Sequence, residues 1–174
     1  MSVHIIIDGY NLALQSNEFG HFPGNDLQSG REKLIKALAA YKKIKHHKIT
    51  VVYDGTKYHS FSRHKEFISG IEVIFSRQGE IADLVIKRIV AIEKESALVV
   101  SSDQDIKNFA VARGAAVINS AEFEEKLFMA SYMNHKGVDE SDGQSGWKPT
   151  TRKKGPRKRL SRKKRQNRLK IKKL

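Results

Sequence analysis

The sequence predicts an α/β protein in which helices cover a mostly parallel sheet. Several short apolar runs, rich in β-branched residues, lack strict alternation with polar residues. Such runs are typical of strands that are buried on both faces. They alternate along the chain with segments that have helical apolar spacing, as in βαβ units. We therefore expect parallel strands that are joined by right-handed crossovers.

The elements follow in a regular order. Strands are predicted at 3–7, 49–53, 71–75, 97–100 and 115–118. The 71–75 run (IEVIF) alternates more than the others, so we expect it nearer a sheet edge. Asn25 and Asp26 can cap a helix that continues to Tyr41, and further helices are predicted over 80–95, 104–113 and 120–133. Residues 56–69 predict a loop that contains a short helix.

Charge divides the chain into unequal parts. The formal net charge is +14, yet residues 148–174 hold 15 Lys and Arg and no acidic residue. Residues 1–147 hold 18 basic and 19 acidic residues, a net charge of −1. We predict a folded α/β domain over 1–135, a flexible Gly-rich linker over 136–147, and a polybasic tail over 148–174 that is disordered when free.

Composition argues against several protein classes. The chain has no cysteine, which excludes disulfides and Cys-based zinc sites and fits a reducing compartment. No charged segment precedes the first apolar run, and no apolar run approaches the roughly 20 residues of a membrane helix. We expect a cytoplasmic protein without a membrane partner.

Acidic residues follow three of the predicted strands. Asp8 follows HIII, Asp54 follows TVVY, and Asp103 follows LVVSS. Each acid alone has an ordinary explanation as a turn residue or a helix cap. In a parallel sheet, however, the carboxyl ends of the strands meet at one edge, where α/β proteins bind ligands. The recurrence therefore predicts a cluster of carboxylates.

The helix predicted over 80–95 adds further acids. Its apolar positions, which include Ile81 and Ile92, predict a buried face, and Glu80 and Asp83 are expected to project together from the first turn. Asp105, two residues after Asp103, could join the cluster. Carboxylates that are close together repel one another, so a cation would be needed to neutralise them.

The chemistry of this cluster indicates a metal site. Oxygen ligands without Cys suit Mg²⁺ or Mn²⁺ better than Zn²⁺. One or two such ions can activate water and stabilise the leaving oxygen of a phosphodiester. Because the chain also carries a polybasic tail, nucleic acid is the expected substrate.

Four motifs resemble a known family. They are DGYN at 8–11, VVYDG at 51–55, EIADLVI at 80–86 and SSDQDI at 101–106. Together and in this order they resemble the YacP-like branch of the NYN domains, in the PIN-like nuclease superfamily, over roughly 3–133. The resemblance implies a three-layer α/β/α sandwich with a mostly parallel central sheet. It also implies metal-dependent cleavage of RNA that leaves 5′-phosphate and 3′-hydroxyl ends.

The motifs also imply roles for individual residues. The implied catalytic set is Asp8, Asn11, Asp83 and Asp103. The implied metal ligands are Asp8, Asp83 and Asp103, with Asp105 beside them. Asn11 would orient the first loop or a water molecule on the metal, and Asp54 matches the family's second-strand acid.

The tail is predicted to bind RNA phosphates. It has no aromatic residue after Trp147, so it lacks the stacking platforms of base-reading proteins. The predicted contacts are Arg152, Lys153, Lys154, Arg157, Lys158, Arg159, Arg162, Lys163, Lys164 and Arg165. Some members of the resembled family act on ribosome-bound messenger RNA, so the ribosome is an expected partner in addition to free RNA.

Two other functions remain open from the sequence. A non-catalytic RNA- or ribosome-binding protein on the same scaffold would also need the tail, but would break no phosphodiester. A phosphatase-like hydrolase could use Asp8 as its nucleophile. It is disfavoured because Tyr10 stands where such enzymes usually place a second Asp.

Overall fold

The structure is a computed structural model that describes residues 3–16, 18–19, 27–55, 64–77, 79–136 and 162–174. The strands are β1 (His4–Asp8), β2 (Lys48–Tyr53), β3 (His64–Ile68), β4 (Ile71–Phe75), β5 (Ala97–Val100) and β6 (Ala116–Ile118). The helices are α1 (Gly9–Gln15), α2 (Leu27–Lys45), α3 (Ala82–Glu93), α4 (Gln104–Ala112), α5 (Ser120–Lys136) and α6 (Arg162–Lys172).

The strands form one sheet in the order β3-β4-β2-β1-β5-β6. All neighbouring strands are parallel except β3 and β4, which are antiparallel. The ends of the parallel strands therefore define a carboxyl edge, after Asp8, Tyr53, Phe75, Val100 and Ile118, and an opposite amino edge. The chain moves outward from β1 in both directions, which makes the end of β1 a topological switch point.

Helices cover both faces of the sheet, which confirms the predicted three-layer sandwich. Helices α1, α2, α5 and α6 pack on one face, where Ile5 and Ile7 of β1 point. Helices α3 and α4 pack on the other face, where Ile6 points. The β-branched runs are continuous because alternate residues of each strand enter different cores.

Two elements of the body differ from the sequence-based predictions. Residues 64–68, expected within a loop with a short helix, form the antiparallel edge strand β3. Its side chains are largely exposed, which explains why it lacks an apolar signal. Helix α1, which was not predicted, begins directly after Asp8. The expected linker over 136–147 begins one residue too early, because Lys136 ends α5. Asn25, Asp26 and residues 137–147 lie outside the described residues.

The predicted disorder of the tail is wrong for residues 162–174. Helix α6 packs against the body because Leu174 is buried in the core and Ile171 packs beside it. The Tyr41 hydroxyl donates a hydrogen bond to the Leu174 carbonyl at 3.0 Å. A few apolar residues therefore suffice to dock a helix that is otherwise strongly basic. Residues 148–161 lie outside the described part.

None of the helices in the described ranges is long and apolar enough to cross a membrane.

Candidate functional site

Asp8 ends β1 and caps α1. Its Oδ1 accepts a hydrogen bond from the Asn11 backbone nitrogen at 3.2 Å, and its Oδ2 accepts one from the Ser101 hydroxyl at 3.4 Å. The residue is only 8% exposed. Burial, followed by the charges of Asp83 and Asp103, raises the Asp8 pKa to about 6. The opening Asp-Gly is thus both a helix start and a buried carboxyl group.

Asp103 lies beyond the end of β5 and caps α4. Its Oδ1 accepts hydrogen bonds from the backbone nitrogens of Asp105 at 2.8 Å and Ile106 at 3.0 Å. The Asp103 nitrogen in turn donates to the Ser101 hydroxyl at 3.1 Å. Because the same hydroxyl donates to Asp8, Ser101 connects the two acidic segments.

Asp83 approaches from the first turn of α3 and is partly buried. Burial raises its pKa most, and the charges of Asp103 and Asp105 raise it further. Lys87, one turn later, acts in the opposite direction and forms an ion pair with the exposed Asp105. The charges of Asp8, Asp83 and Asp103 therefore influence one another at the carboxyl edge.

Asn11 holds the loops at the carboxyl edge together. Its Oδ1 accepts hydrogen bonds from the Ser102 backbone nitrogen at 2.9 Å and the Ser120 hydroxyl at 2.8 Å. The Gln15 side chain donates to the same oxygen at 3.2 Å. These contacts join α1 to the segments that follow β5 and β6. Asn11 therefore positions these segments relative to one another.

Two expectations, about Glu80 and about the buried face of α3, need correction. Glu80 precedes α3, is buried, and is paired with Arg88 rather than projecting with Asp83 from the first turn. Ile81 and Ile92 are exposed and do not belong to the buried face of α3. The buried face is narrower than predicted because only one side of this helix meets the sheet.

Asp54 lies after β2, and its Oδ1 is 3.4 Å from the Ser76 hydroxyl. The same hydroxyl accepts a hydrogen bond from the Gly55 nitrogen at 2.9 Å. These contacts give Asp54 a local role in connecting the ends of β2 and β4.

The side chains of Asp8, Asp83 and Asp103 suit a hard divalent cation by their chemistry. They are carboxylates, and a cation would relieve their mutual repulsion. However, no group of three or more His, Asp or Glu side chains in the described ranges is arranged to hold a metal ion. Direct ligation by Asp8, Asp83 and Asp103 together therefore requires their side chains to move.

Sequence reasoning missed two residues of this site. One is Lys87, which forms an ion pair with Asp105. Its spacing from Asp83, four residues along a helix, was an available signal. Ser101 carried no comparable signal, because its two contacts depend on the approach of β1 and β5.

The predicted RNA-binding residues are described only in part. Arg162, Lys163, Lys164 and Arg165 belong to α6. The remaining six, between Arg152 and Arg159, lie outside the described residues.

A sandwich of this topology, with aspartates at the carboxyl edge, has the fold of a PIN-like nuclease. A family model described as YacP-like NYN domain matches residues 5–173. The chain belongs to the YacP-like NYN domain family. The match extends through α6, beyond the segment in which the four motifs lie.

Solved structures agree on the fold. A crystal structure of a mutant of Rae1 (YacP) from Bacillus subtilis has a TM-score of 0.66 at 21% identity, covering 78% of this chain and 81% of that chain. Another crystal structure of Rae1 (YacP) from Bacillus subtilis has a TM-score of 0.63 at 22% identity, covering 79% of this chain and 80% of that one. A search of curated proteins found no match.

Proposed function

We propose that this protein is a ribonuclease that depends on Mg²⁺ or Mn²⁺, with basic C-terminal residues that bind RNA or the ribosome. The observation that carries the proposal is the buried Asp8 carboxyl group, whose pKa is raised by burial and by the charges of Asp83 and Asp103. Keeping like charges together at a switch point costs stability, and such arrangements are typical of functional sites.

The chain's own residues would prepare the site for hydrolysis. Asp8 and Asp103 each cap a helix, and these hydrogen bonds hold both acids at the carboxyl edge. Asn11 holds the surrounding loops in register. Asp83 approaches from α3, which packs on the same face of the sheet as α4 and on the face opposite α1. The scissile phosphate would lie over the carboxyl edge between these groups.

The reaction is hydrolysis of the RNA backbone. Water adds to phosphorus, the bond to the 3′ oxygen breaks, and that oxygen takes up a proton. The products are a 5′-phosphate and a 3′-hydroxyl. A bound Mg²⁺ or Mn²⁺ would neutralise the carboxylates, lower the pKa of water, and stabilise charge on the leaving oxygen. Asp8, Asp83 and Asp103 are the residues that would hold it.

The test compares Asp8→Asn and Asp83→Asn with the wild type on end-labelled single-stranded RNA in Mn²⁺. We expect each variant to lose about 100-fold or more in cleavage rate, the range for removing one preorganised electrostatic contact. Glu125→Gln, which removes an exposed carboxylate from α5, serves as the matched control and should retain the wild-type rate. Cleavage by both purified Asn variants at the wild-type rate would remove these acids from the mechanism.

One observation favours the non-catalytic alternative. The described acids do not form a ready metal-binding group, and Lys87 already neutralises Asp105. A protein of this kind would bind RNA without cleaving it. The same assay therefore separates the two functions: RNA binding by the wild type without cleavage, at any Mg²⁺ or Mn²⁺ concentration, would favour the alternative.

A further inference from the structure

Helix α6 lies at the opposite edge of the sheet from the catalytic acids. Lys170 Nζ is 3.4 Å from the Gly114 carbonyl, just before β6, and His47 Nε2 is 3.3 Å from the Lys173 carbonyl, just before β2. Both body residues precede strands, so both lie at the amino edge. Asp8, in contrast, ends β1 at the carboxyl edge.

The separation between these edges is substantial. Strand β1 spans five residues, and a strand rises about 3.3 Å per residue, so its two ends lie about 13 Å apart. The contacts of α6 therefore do not place its charges beside the scissile phosphate. A basic helix at this position would meet RNA away from the scissile phosphate.

The outer surface of α6 is strongly cationic. Five exposed basic residues of the helix and its following turn are Lys164, Arg165, Arg168, Lys172 and Lys173. The helix contains no acidic and no aromatic residue. Arg165, Arg168 and Lys172 line one shallow cavity of about 490 Å³ together with Lys126 of α5. We call these four residues the α6 basic patch.

The docking of α6 fixes the patch to the body. Leu174 is buried, its carbonyl accepts from Tyr41, and burial lowers the pKa of the partly buried Lys170. The cations of the patch are thus presented from a packed helix. Less conformational entropy is then lost when a partner binds than would be lost by a free chain.

We propose that the α6 basic patch is a second RNA site, which binds the phosphate backbone of a segment other than the strand being cut. This inference rests on the proposed function, because it assumes that the carboxyl edge acts on RNA. Lysine and arginine without aromatic neighbours recognise phosphates rather than bases, so the site has no sequence preference. A substrate that reaches both edges must extend around the body.

The test uses the full chain with chelator present, so that RNA is bound and not cleaved. Two RNAs are compared: a short single strand, and the same strand joined to a hairpin. The variant is Arg165→Gln/Arg168→Gln/Lys172→Gln, which leaves the docking residues Leu174 and Lys170 unchanged. A triple Gln variant of the α2 lysines Lys33, Lys36 and Lys43 makes the same change of charge elsewhere.

We expect the α6 variant to bind the hairpin-extended RNA more weakly, with the slope of log K against log salt reduced in magnitude by about two to three. Its binding of the short strand should change much less, because that strand need not reach α6. The α2 variant should resemble the wild type in both assays. Thermal unfolding would check that all three proteins are equally folded.

Several outcomes would overturn this proposal. Equal salt slopes for the wild type and the α6 variant would do so, as would an equal loss in the α2 variant. Binding to anionic phospholipid vesicles in place of the hairpin-extended RNA would identify a membrane surface as the partner. Failure of the wild type to cleave any RNA would instead count against the proposed function, while the binding comparison would still decide the role of α6.

Discussion

The Asn11 side-chain oxygen lies 2.9 Å from the backbone nitrogen of Ser102, a residue 91 positions later in the chain. The same oxygen accepts a hydrogen bond from the Ser120 hydroxyl at 2.8 Å. One amide thus holds three segments that follow three adjacent strands. Asp8 and Asp103 lie on two of these segments, so their separation depends on Asn11.

Asn11→Ala should lower both stability and activity. Without the Asn11 side-chain oxygen, the partly buried Ser102 nitrogen loses its hydrogen-bond acceptor. This loss costs about 1–3 kcal/mol in the free energy of unfolding. Urea denaturation measures this loss, and the cleavage rate at saturating RNA should fall as well. Gln15→Ala is the control, since its exposed side chain donates to the same oxygen. An equal effect of both substitutions would contradict the assigned role of Asn11.

Asp8→Asn should stabilise the metal-free protein at pH 7. The Asp8 pKa is about 6 in the folded state against 3.8 normally, so the folded state favours the protonated form. The stabilisation that comes from keeping Asp8 protonated in the folded state is therefore complete below about pH 4. It is lost as the pH rises through 6. At 1.36 kcal/mol per pKa unit, Asp8→Asn should raise the free energy of unfolding at pH 7 by at most about 3 kcal/mol.

Thermal unfolding at several pH values tests the prediction for Asp8. The difference in melting temperature between Asp8→Asn and the wild type should be largest at pH 7 and shrink toward pH 4. Asn caps helices as well as Asp, so α1 should not be weakened by the exchange. A difference that does not vary with pH would show that the Asp8 charge is not the cause.

Much of the fold follows from the local sequence. The runs at 49–53 and 97–100 are strands because β-branched residues pack well on both faces of a buried sheet. Helix α1 could not be predicted in this way, since DGYN is equally typical of a turn. Helix α6 was missed because its docking depends on Leu174 meeting Tyr41, 133 residues away.

The sequence predicts the position of the candidate site at one edge of the sheet, because the strand topology alone decides it. Parallel strands deliver their following residues to one edge, which is why Asp8 and Asp103 come together. Pairing between side chains is a different matter, because it depends on distances that no spacing encodes. Glu80 was therefore grouped with Asp83, although it is paired with Arg88.

Gly55→Ala should destabilise the end of β2. A Cβ atom at this position would lie 1.8 Å from the Ser76 carbonyl oxygen, which belongs to the backbone and cannot rotate away. We expect a loss of about 3 kcal/mol or more, at the upper end of overpacking effects. Gly79→Ala is the comparison, since nothing lies within 4 Å of its Cβ and only its positive φ is unfavourable. Chemical denaturation should show the larger loss for Gly55→Ala.

Lys87→Gln should strengthen the binding of Mn²⁺. Lys87 is paired with Asp105 and lowers the pKa of Asp83, so it competes with a divalent cation for the same carboxylates. We expect the dissociation constant to fall roughly tenfold, which corresponds to about 1.4 kcal/mol. Isothermal titration calorimetry measures this directly. Lys107→Gln, on α4, is the control. Weaker binding by Lys87→Gln would mean that the lysine organises the acids rather than competing for them.

Leu174→Ala should detach α6 from the body. The Leu174 side chain is 6% exposed and belongs to the core that α2 and α5 share, whereas Leu169 on the same helix is 61% exposed. Truncating a buried leucine costs about 2–5 kcal/mol. A surface substitution such as Leu169→Ala should stay within about 0.5 kcal/mol.

Hydrogen exchange locates the effect of Leu174→Ala. Amides over 162–172 should exchange much faster in this variant, while amides of β1 and β5 remain protected, because α6 packs on the sheet without being part of it. Tyr41→Phe, which removes only the hydrogen bond to the Leu174 carbonyl, should produce a smaller change in the same amides. If exchange over 162–172 were as fast in the wild type as in Leu174→Ala, the docking of α6 would contribute nothing to its order. The second RNA site would then have to be sought on a mobile chain.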